Sequence, residues 1–384
     1  MERPIYLDYN ATTPIDPAVV EAMLPYLYER HGNASSAHAY GYEAREAVER
    51  ARQQVARLIG ARPGEIVFAG GGSETDNQAI KGMVFARLRE HPHVISTAVE
   101  HPAVLNTLAY LKHRFDVDYT LLPVDDYGLL DPDELRGALR AQTVLVTVMH
   151  GNNEVGTLQS LREIGAITRE AGVLLHVDAA QSAGKVPINV DDLHIDLLSV
   201  VGHKLYGPKG IAVLYVRTGI KLDPLVHGSS QEHGMRAGTE NVASIVGLGE
   251  ACRLALEELE RGEEGIRELR DTLYRLLCDE IPELQLNGHP TERLPNTLNV
   301  SLPDVQGGVV LACTPGVAAS TGSACHSGET APSSVLTAMG FTPERALGAV
   351  RLSLGRWTTE EEISGAAALL GEGYRQVSSL YAAY

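Results

Sequence analysis

Three side chains of this sequence are of types that carry out chemistry, and each lies where a fold could present it to a ligand. Lys204 comes just after an apolar run, Asp178 closes an earlier apolar run, and Cys325 lies among glycine, serine and alanine. A lysine amine forms Schiff bases with carbonyl groups, and an acidic group beside the pyridine nitrogen of pyridoxal 5′-phosphate (PLP) keeps that ring an electron sink. A thiol on a loop is a nucleophile. Together the three residues predict PLP chemistry directed at a sulfur atom.

A glycine-rich turn, a histidine and a glutamine add to this set. Residues 68–76 run from an apolar strand through three glycines into a helical pattern. The backbone N–H groups of this turn and the Ser73 hydroxyl could therefore bind an anion at a helix N-terminus. Its spacing matches neither the dinucleotide fingerprint nor the nucleoside-triphosphate loop. His101 follows the next strand, where an imidazole could stack on a ring and move protons. Gln181, one turn after Asp178, could reach the same ligand.

Taken singly, each of these residues also has an ordinary structural explanation. Glycine-rich turns are often only turns, an aspartate at the end of a strand more often caps a turn, and a loop lysine is usually just solvated. A free cysteine is usually a small core residue, and we interpret Cys252 and Cys278, which fall in helical patterns, in that way. Position favours function for the others, because ligands of open α/β sheets bind at the carboxyl ends of the strands.

Seven apolar runs predict the strands that bring these ends together. Helical patterns fill most gaps between the first five runs, as a parallel sheet requires. Only residues 203–210 separate the last two runs, which is too short for a parallel crossover, so we expect one antiparallel strand. The prediction is an α/β domain with a seven-stranded, mostly parallel sheet. The runs are residues 65–70, 93–99, 117–124, 143–150, 174–180, 197–202 and 211–217.

Elements on either side of the sheet complete the predicted organisation. A helical pattern ends at Gly60 before the sheet, and further helices, a strand and a capping box follow the sheet. We predict a large PLP-binding domain over residues 16–255 and a smaller α+β domain over residues 256–384, with residues 1–15 packing near the small domain. The later elements are helices 243–260 and 263–280, a strand at 297–302, and a final helix that begins at Thr359 and Glu362.

Composition excludes several classes of protein. The net charge of −17, from 49 acidic and 32 basic side chains, disfavours nucleic acid and anionic membranes, because both require clustered positive charge. No apolar run reaches the roughly 18 residues of a membrane helix, and the N-terminus lacks the apolar core of a signal peptide. The four cysteines form no CxxC pair and have no histidines at zinc-finger spacing. We therefore expect reduced thiols, no metal site and a cytoplasmic protein.

In order along the whole chain, these motifs resemble those of the cysteine desulfurases, close relatives of the selenocysteine lyases. Both groups are PLP enzymes of transferase fold type I, class V, and the resemblance therefore implies that fold and that cofactor. The matching segments are residues 6–14, 32–36, 70–76, 100–101, 152–156, 177–181, 202–204, 236–241, 323–325 and 351–356.

The resemblance implies a role for each candidate residue. Lys204 forms the Schiff base, Asp178 pairs with the pyridine nitrogen, and His101 stacks on the ring. Arg351 and Asn153 hold the substrate carboxylate, for which arginine offers a bidentate fork. Cys325 takes the sulfur. The remaining implied contacts to the cofactor are Gln181 at the ring hydroxyl, Asn153, and the phosphate ligands Gly72, Ser73 and His203, with Thr239 arriving from the other subunit of a homodimer.

The implied activity converts L-cysteine to L-alanine and leaves a persulfide on Cys325 for acceptor or scaffold proteins of iron–sulfur cluster assembly or tRNA thiolation. Two positions depart from the family's common pattern. Val201 stands where many members have serine and selenocysteine lyases have valine, and His326 stands where threonine is commoner. Selenocysteine lyase is therefore the alternative activity. A plain aminotransferase, in which Cys325 is incidental, and a non-catalytic sulfur-transfer scaffold remain further alternatives.

Overall fold

The computed structural model describes residues 3–262, 264–322 and 331–381. Cys325 and His326 lie outside these ranges. The strands within them are β1 (Ile5–Tyr6), β2 (Ile66–Ala69), β3 (His93–Thr97), β4 (Asp118–Leu122), β5 (Thr143–Met149), β6 (Leu174–Asp178), β7 (Leu197–Val201), β8 (Ala212–Val216), β9 (Gln285–Asn287), β10 (Thr297–Ser301), β11 (Val317–Ala318) and β12 (Ala349–Ser353).

The helices alternate with the strands through much of the chain. They are α1 (Pro17–Tyr28), α2 (Ala39–Ile59), α3 (Gly72–Ala86), α4 (Pro102–Phe115), α5 (Pro132–Ala138), α6 (Leu161–Ala171), α7 (Val242–Arg261), α8 (Glu264–Glu280), α9 (Gly307–Cys313), α10 (Ser334–Ala338), α11 (Pro343–Leu347) and α12 (Glu360–Tyr381). In the described part of the chain, no helix is both long enough and apolar enough to cross a membrane.

All seven predicted strands form one sheet, in the order β2-β8-β7-β6-β5-β3-β4. The pairs from β7 through β4 are parallel, whereas β8 runs antiparallel to both β2 and β7. The predicted mostly parallel sheet with one antiparallel strand is therefore confirmed. The chain order reverses between β3 and β5, and such a switch point is where open α/β sheets bind ligands.

Helices cover both faces of this sheet, because its strands are apolar on both sides. One core cluster joins the sheet to α2, α6 and α7, and a second joins it to α3 and α4. Full burial of each large aliphatic side chain contributes roughly 1.5–3 kcal/mol. Gly60 ends α2 as predicted: it has a φ of 69°, and its N–H bonds back to the carbonyls of Ala56 and Arg57.

The two helical cysteines differ in burial. Cys252 is fully buried in α7, as expected. The expectation of a core position for Cys278 is wrong, because this residue is exposed on α8. The buried stripe of α8 includes Leu273 and Leu277, and the next residue along a helix is turned about 100° away from its predecessor.

The C-terminal part of the chain has a core of its own. Strands β12, β10 and β9 form an antiparallel sheet, and β1 pairs with β11. One apolar cluster takes its buried side chains from Leu7 and from residues 273–377. The predicted capping box begins α12: Thr359 N–H donates to Glu362, and Glu362 N–H donates to Thr359 Oγ1 at 3.2 Å. The domain boundaries themselves stay a prediction, which this separate core supports.

Candidate active site

The loops after β3, β5, β6 and β7 converge with the start of α3 on a cavity of about 320 Å³ at the carboxyl edge of the sheet. Nine of the residues predicted from the sequence line it. They are Gly72, Ser73, His101, Asn153, Asp178, Gln181, His203, Lys204 and Arg351, and they share the cavity wall with Asn10, Ala11, Asp76, Met149, Gly151, Ala180 and Val201.

One end of the cavity is formed by the N-terminus of α3. Gly72 is the first residue of this helix, and Gly71, which precedes it, provides no side-chain cap. The first N–H groups of a helix have no partner within the helix, so they can bind an anion. A Cβ on Gly72 would lie 2.8 Å from Cγ2 of Val201. This packing explains the glycine and places a methyl group, not a hydroxyl, beside the turn.

His203 lies at the same end of the cavity, in the turn that follows β7. Its Nδ1 is 3.1 Å from Thr12 Oγ1. Burial, together with the nearby charges of Lys204 and Lys209, lowers the pKa of His203 to about 4. Near neutral pH the imidazole is therefore uncharged, and it would meet a phosphate as a hydrogen-bond donor and not as a cation.

The amine of Lys204 is held by the backbone of the N-terminal segment. Nζ donates to the carbonyl oxygens of Asn10 at 2.5 Å and Ala11 at 2.8 Å. Burial and the charge of Arg351 lower the pKa of Lys204 to about 8, although nearby carboxylates oppose this change. A substantial fraction of the amine is therefore unprotonated just above neutral pH, as a nucleophilic lysine requires.

Asp178 ends β6 beneath the same cavity. It is buried, and its Oδ1 accepts a hydrogen bond from the N–H of Ala180 at 2.9 Å. Burial raises the pKa of Asp178, whereas the Ala180 N–H and the charges of His101 and Lys204 lower it. A protonated pyridine nitrogen would add a cation at this carboxyl. The Asp178 carboxyl, the Lys204 amine and the N–H groups of α3 thus fit the pyridine nitrogen, the aldehyde and the phosphate of PLP.

Gln181 presents its amide with a defined orientation. Nε2 donates to the carbonyl of Asn10 at 2.9 Å, and Oε1 accepts from Lys185 Nζ at 3.0 Å. The carbonyl of Asn10 can only accept, so the NH₂ group of Gln181 must face it. The second N–H of that group is then the donor left for a ligand. Sequence analysis did not identify Lys185, whose pKa falls to about 7 through burial and the charges of Lys204 and Arg351.

His101 lines the cavity and also caps a helix. It is the residue before α4, and its Nδ1 accepts from the N–H of Ala103 at 3.1 Å. Burial and Lys204 lower its pKa, although Asp178 opposes the change. The cap requires a bare Nδ1, which places the ring proton of the neutral imidazole on Nε2.

Arg351 lies on β12, and its guanidinium is held from two sides. Nη2 donates to Asp8 Oδ1 at 2.7 Å, and Nη1 donates to the backbone carbonyl of Asn153 at 3.0 Å. Its buried Nε has no hydrogen-bond partner among the described residues. The two contacts of Nη1 and Nη2 use two of the five N–H groups of the guanidinium, so N–H groups remain for an anionic group. Asp8 was not singled out from the sequence, although it lies inside a segment that matched the family.

A buried asparagine ties the N-terminal segment to both halves of the chain. Nδ2 of Asn10 donates to the carbonyl of Asn153 and to Thr297 Oγ1, and its Oδ1 accepts from Asn296. The backbone carbonyl of Asn10 is the group that holds Lys204 and Gln181. Sequence reasoning missed this residue, and its place in a matching segment was the one signal available.

Two predicted residues do not line the cavity of the described chain. Thr239 is exposed and lines a separate cleft with Gly70 and Arg236. Cys325 lies outside the described residues. The chain approaches it from Ser320, whose backbone pairs with that of Arg351.

Two carboxyl groups that the sequence did not single out also lie here. Asp76 lines the cavity from α3, and Glu100 lies buried between β3 and α4. Asp76 falls inside the glycine-turn segment, but nothing in its spacing distinguished it from a surface residue of a helix.

The chain resembles known proteins over most of its length. The aminotransferase class-V family matches residues 5–365. Cysteine desulfurase IscS of Dictyoglomus turgidum is 46% identical over 366 residues, which cover 95% of this chain and 93% of that protein. IscS of Methanosarcina thermophila is 48% identical over 364 residues, or 94% and 89% of the two chains.

Solved structures agree with these sequence matches. A NifS-like protein superposes with a TM-score of 0.90 at 35% identity and covers 98% of this chain and 99% of its own. A structure described as SspA in complex with cysteine gives a TM-score of 0.82 at 38% identity, covering 92% and 99%.

Proposed function

The chain belongs to the class-V aminotransferase family, and from this membership and its similarity to cysteine desulfurases we infer that it is a PLP-dependent cysteine desulfurase. It converts L-cysteine to L-alanine. The observation that carries this function is the cavity that brings the amine of Lys204, the buried carboxyl of Asp178 and the guanidinium of Arg351 together at the edge of the sheet.

The cofactor end of the cavity is suited to hold PLP rigidly. We propose that the N–H groups of Gly72 and Ser73 and the imidazole of His203 bind the phosphate, that Asp178 faces the pyridine nitrogen, and that Gln181 donates to the ring hydroxyl. His101, which lines the cavity, would lie over one face of the ring. When bound, PLP supplies the electron sink that makes cleavage of the bond between Cβ and sulfur feasible.

Lys204 has two tasks in this proposal. Its amine would hold the cofactor covalently, and Nζ, once free, would take the proton from Cα of the substrate. The lowered pKa of Lys204 suits both tasks, because each needs the unprotonated amine. The carbonyls of Asn10 and Ala11 hold the free amine beside the cavity.

Arg351 and Asn153 orient the substrate. The N–H groups of the Arg351 guanidinium that Asp8 and the carbonyl of Asn153 leave free would meet the substrate carboxylate. Asp8 and the carbonyl of Asn153 fix the guanidinium plane. Fixing the carboxylate and the amine of cysteine fixes the direction of the Cα–Cβ bond that carries its thiol group.

We propose Cys325 as the group that takes the sulfur. Its thiolate attacks the substrate sulfur, a sulfur–sulfur bond forms, and the bond from sulfur to Cβ breaks. The electron pair of that bond stays with the carbon fragment, which takes up a proton and leaves as alanine. The protein keeps a persulfide on Cys325, which an acceptor or scaffold protein of iron–sulfur cluster assembly or tRNA thiolation removes. A cytoplasmic location, predicted from the sequence, stays part of this proposal.

Alanine release from L-cysteine, with a dithiol to regenerate the thiol, tests the activity. Cys325→Ala should abolish alanine formation and still bind PLP, because the thiol is not part of the cofactor site. Cys278→Ala is the matched control, since it removes an exposed thiol elsewhere. Alanine formation by Cys325→Ala at the wild-type rate would reject the nucleophile.

The same assay with L-selenocysteine tests the alternative activity. Val201 places a methyl group beside the glycine turn. Valine at this position is the feature that resembles selenocysteine lyases. A specificity for selenocysteine that Val201→Ser reverses would favour the lyase. Residual selenocysteine activity of Cys325→Ala would not, because selenium is the better leaving group.

We also propose that the enzyme is a homodimer in which Thr239 completes the phosphate site of the partner subunit. Its exposure, and its position outside the cavity of its own chain, support this arrangement. Lys204→Ala and Thr239→Ala should each impair activity, and mixed dimers of the two variants should regain part of it at one intact site. A fully active monomer in light scattering would reject the arrangement.

A further inference from the structure

A second aspartate lines the cofactor cavity beside Asp178. Asp76 lies one turn into α3, is 3% exposed, and faces the cavity. Its Oδ1 is buried and has no hydrogen-bond partner among the described residues. A buried carboxylate with an oxygen that accepts no hydrogen bond is costly, so the charge state of Asp76 needs an explanation.

A histidine lies close to Asp76 but cannot serve as its cation. His176 Nε2 lies 3.8 Å from Asp76 Oδ1, which is too long for a hydrogen bond. The His176 ring already contacts Thr147 Oγ1 at 2.8 Å and Ser199 Oγ at 3.2 Å. Two hydroxyls satisfy a neutral imidazole, and complete burial lowers the pKa of His176 to about 3.

Most of the surroundings of Asp76 favour its protonated form. Burial raises its pKa well above the usual value, the carboxyls of Asp178 and Glu100 raise it further, and only the hydroxyl of Ser199 opposes this. Burial raises the pKa of Asp178 as well, but the Ala180 N–H and the nearby basic groups His101 and Lys204 lower it and so favour the ionised form of Asp178. One negative charge shared between the two aspartates is therefore better placed on Asp178.

Glu100, which follows β3, is a further buried carboxyl with a raised pKa. Its Oε1 accepts from Thr97 Oγ1 at 2.6 Å and from the N–H of Met149 at 3.0 Å, while Oε2 has no partner in the described chain. Burial raises the pKa of Glu100 to about 8. Asp178 raises the pKa of both Asp76 and Glu100, and Glu100 raises that of Asp76 further.

We propose that Asp76 is a neutral carboxylic acid in the folded protein and that its neutrality keeps Asp178 the single carboxylate at the pyridine end of the cavity. Asp76 acts through Asp178 and is therefore a positioning residue. A second negative charge would push Asp178 toward protonation and weaken its pairing with the pyridine nitrogen. This consequence for the cofactor rests on the proposed function, whereas the protonation of Asp76 does not.

Asp76→Asn tests the proposal, because the amide has the shape of the protonated acid. The cofactor-free full chain should show an infrared carbonyl band of a protonated carboxyl that Asp76→Asn removes. Because the fold raises the pKa of Asp76, this group contributes to stability. That contribution is complete below its unfolded pKa and is lost as the pH rises through its folded pKa. Asp76→Asn should lack this fall. Loss of a carboxylate band instead, or parallel stability–pH curves, would overturn the proposal.

Cofactor affinity provides the second readout. Asp76→Asn should bind PLP within about threefold of the wild type, because no charge has changed. Asp178→Asn should bind it about a hundredfold more weakly, because a buried charge pair has lost one member. An Asp76→Asn variant as weak as Asp178→Asn would mean that Asp76 is ionised. If Asp178→Asn binds PLP normally, the proposed cofactor orientation fails, and the infrared band still decides the state of Asp76.

Glu100→Gln is the matched control for both measurements. It removes a different buried carboxyl of the same cluster, so it should remove its own infrared band and leave the band of Asp76 in place. If Glu100→Gln alone abolished the band assigned to Asp76, the assignment would be wrong and the proposal with it.

Discussion

At the scale of single residues, the site works by controlling which groups carry charge. Burial lowers the pKa of Lys204 and His203 and raises that of Asp178. Each shift follows from the same physical cause, the cost of taking a charge out of water. The result is an amine that is partly unprotonated just above neutral pH, a neutral imidazole at His203 and a carboxyl that gains from a cationic partner.

The pKa of Lys204 predicts how fast the cofactor-free protein captures PLP. Only the unprotonated amine reacts, so the capture rate should rise about tenfold per pH unit below pH 8 and level off above it. Stopped-flow absorbance at a series of pH values measures this. Lys209→Met, which removes an exposed lysine of the same loop, should leave the profile unchanged. A midpoint near 10.5 would contradict the lowered pKa.

Arg351 should discriminate substrates by their carboxylate. In Arg351→Lys the planar fork is lost, so we expect KM for L-cysteine to rise about 10- to 100-fold with a smaller change in kcat. Binding of cysteamine, which has the amine and thiol of cysteine without the carboxylate, should change little. Arg375→Lys, at an exposed ion pair, serves as the control. An equal loss for both ligands would show that Arg351 does not contact the carboxylate.

At the scale of elements, the site depends on where helices begin and strands end. The first turn of α3 supplies unpaired N–H groups because Gly72 follows a turn without a side-chain cap. Its close approach to Val201 on β7 lets the helix start directly above the sheet. The anion site is thus a property of helix–strand packing and does not depend on one side chain.

Gly72→Ala should therefore weaken PLP binding through packing. Its Cβ would lie 2.8 Å from Val201 Cγ2, so the helix start must shift. We expect a loss of about tenfold or more in PLP affinity by fluorescence titration. The double variant Gly72→Ala/Val201→Ala should regain part of it. Gly64→Ala, at a glycine whose Cβ would meet nothing within 4 Å, should bind normally. No regain in the double variant would reject the steric explanation.

At the scale of the whole molecule, the N-terminal segment connects the two predicted domains. Asn10 bonds to Asn153 beside the large sheet and to Asn296 and Thr297 beside the small one. Its carbonyl also holds the Lys204 amine. The geometry of the active site and the docking of the C-terminal part of the chain therefore depend on the same buried residue, the first through its backbone carbonyl and the second through its side-chain amide.

Asn10→Ala should consequently reduce both stability and PLP retention. Removing the amide leaves several buried partners unsatisfied, so we expect the free energy of unfolding to fall by about 2–4 kcal/mol. Chemical denaturation and dialysis against buffer without PLP measure the two effects. Asn33→Ala removes one hydrogen bond at an exposed site and should cost about 1 kcal/mol or less. Equal losses for the two variants would contradict the bridging role.

The sequence by itself determined the elements and their directions. Apolar runs marked all seven strands, the short link of residues 203–210 required β8 to be antiparallel, Gly60 ended α2, and Thr359 began α12. These features are local: each depends on side-chain periodicity or on a capping residue within a few positions. The candidate residues near strand ends followed from the same reasoning, because a parallel sheet brings its carboxyl ends to one edge.

Only the tertiary structure decided which groups face one another across the cavity. Asp8 meets Arg351 across most of the chain, and Asn10 meets Lys204 across about half of it. Burial of Asp76 without a cation and exposure of Cys278 likewise depend on how helices pack. Periodicity describes one element at a time, whereas charge states and hydrogen-bond partners arise from groups that are distant in sequence and meet only after folding.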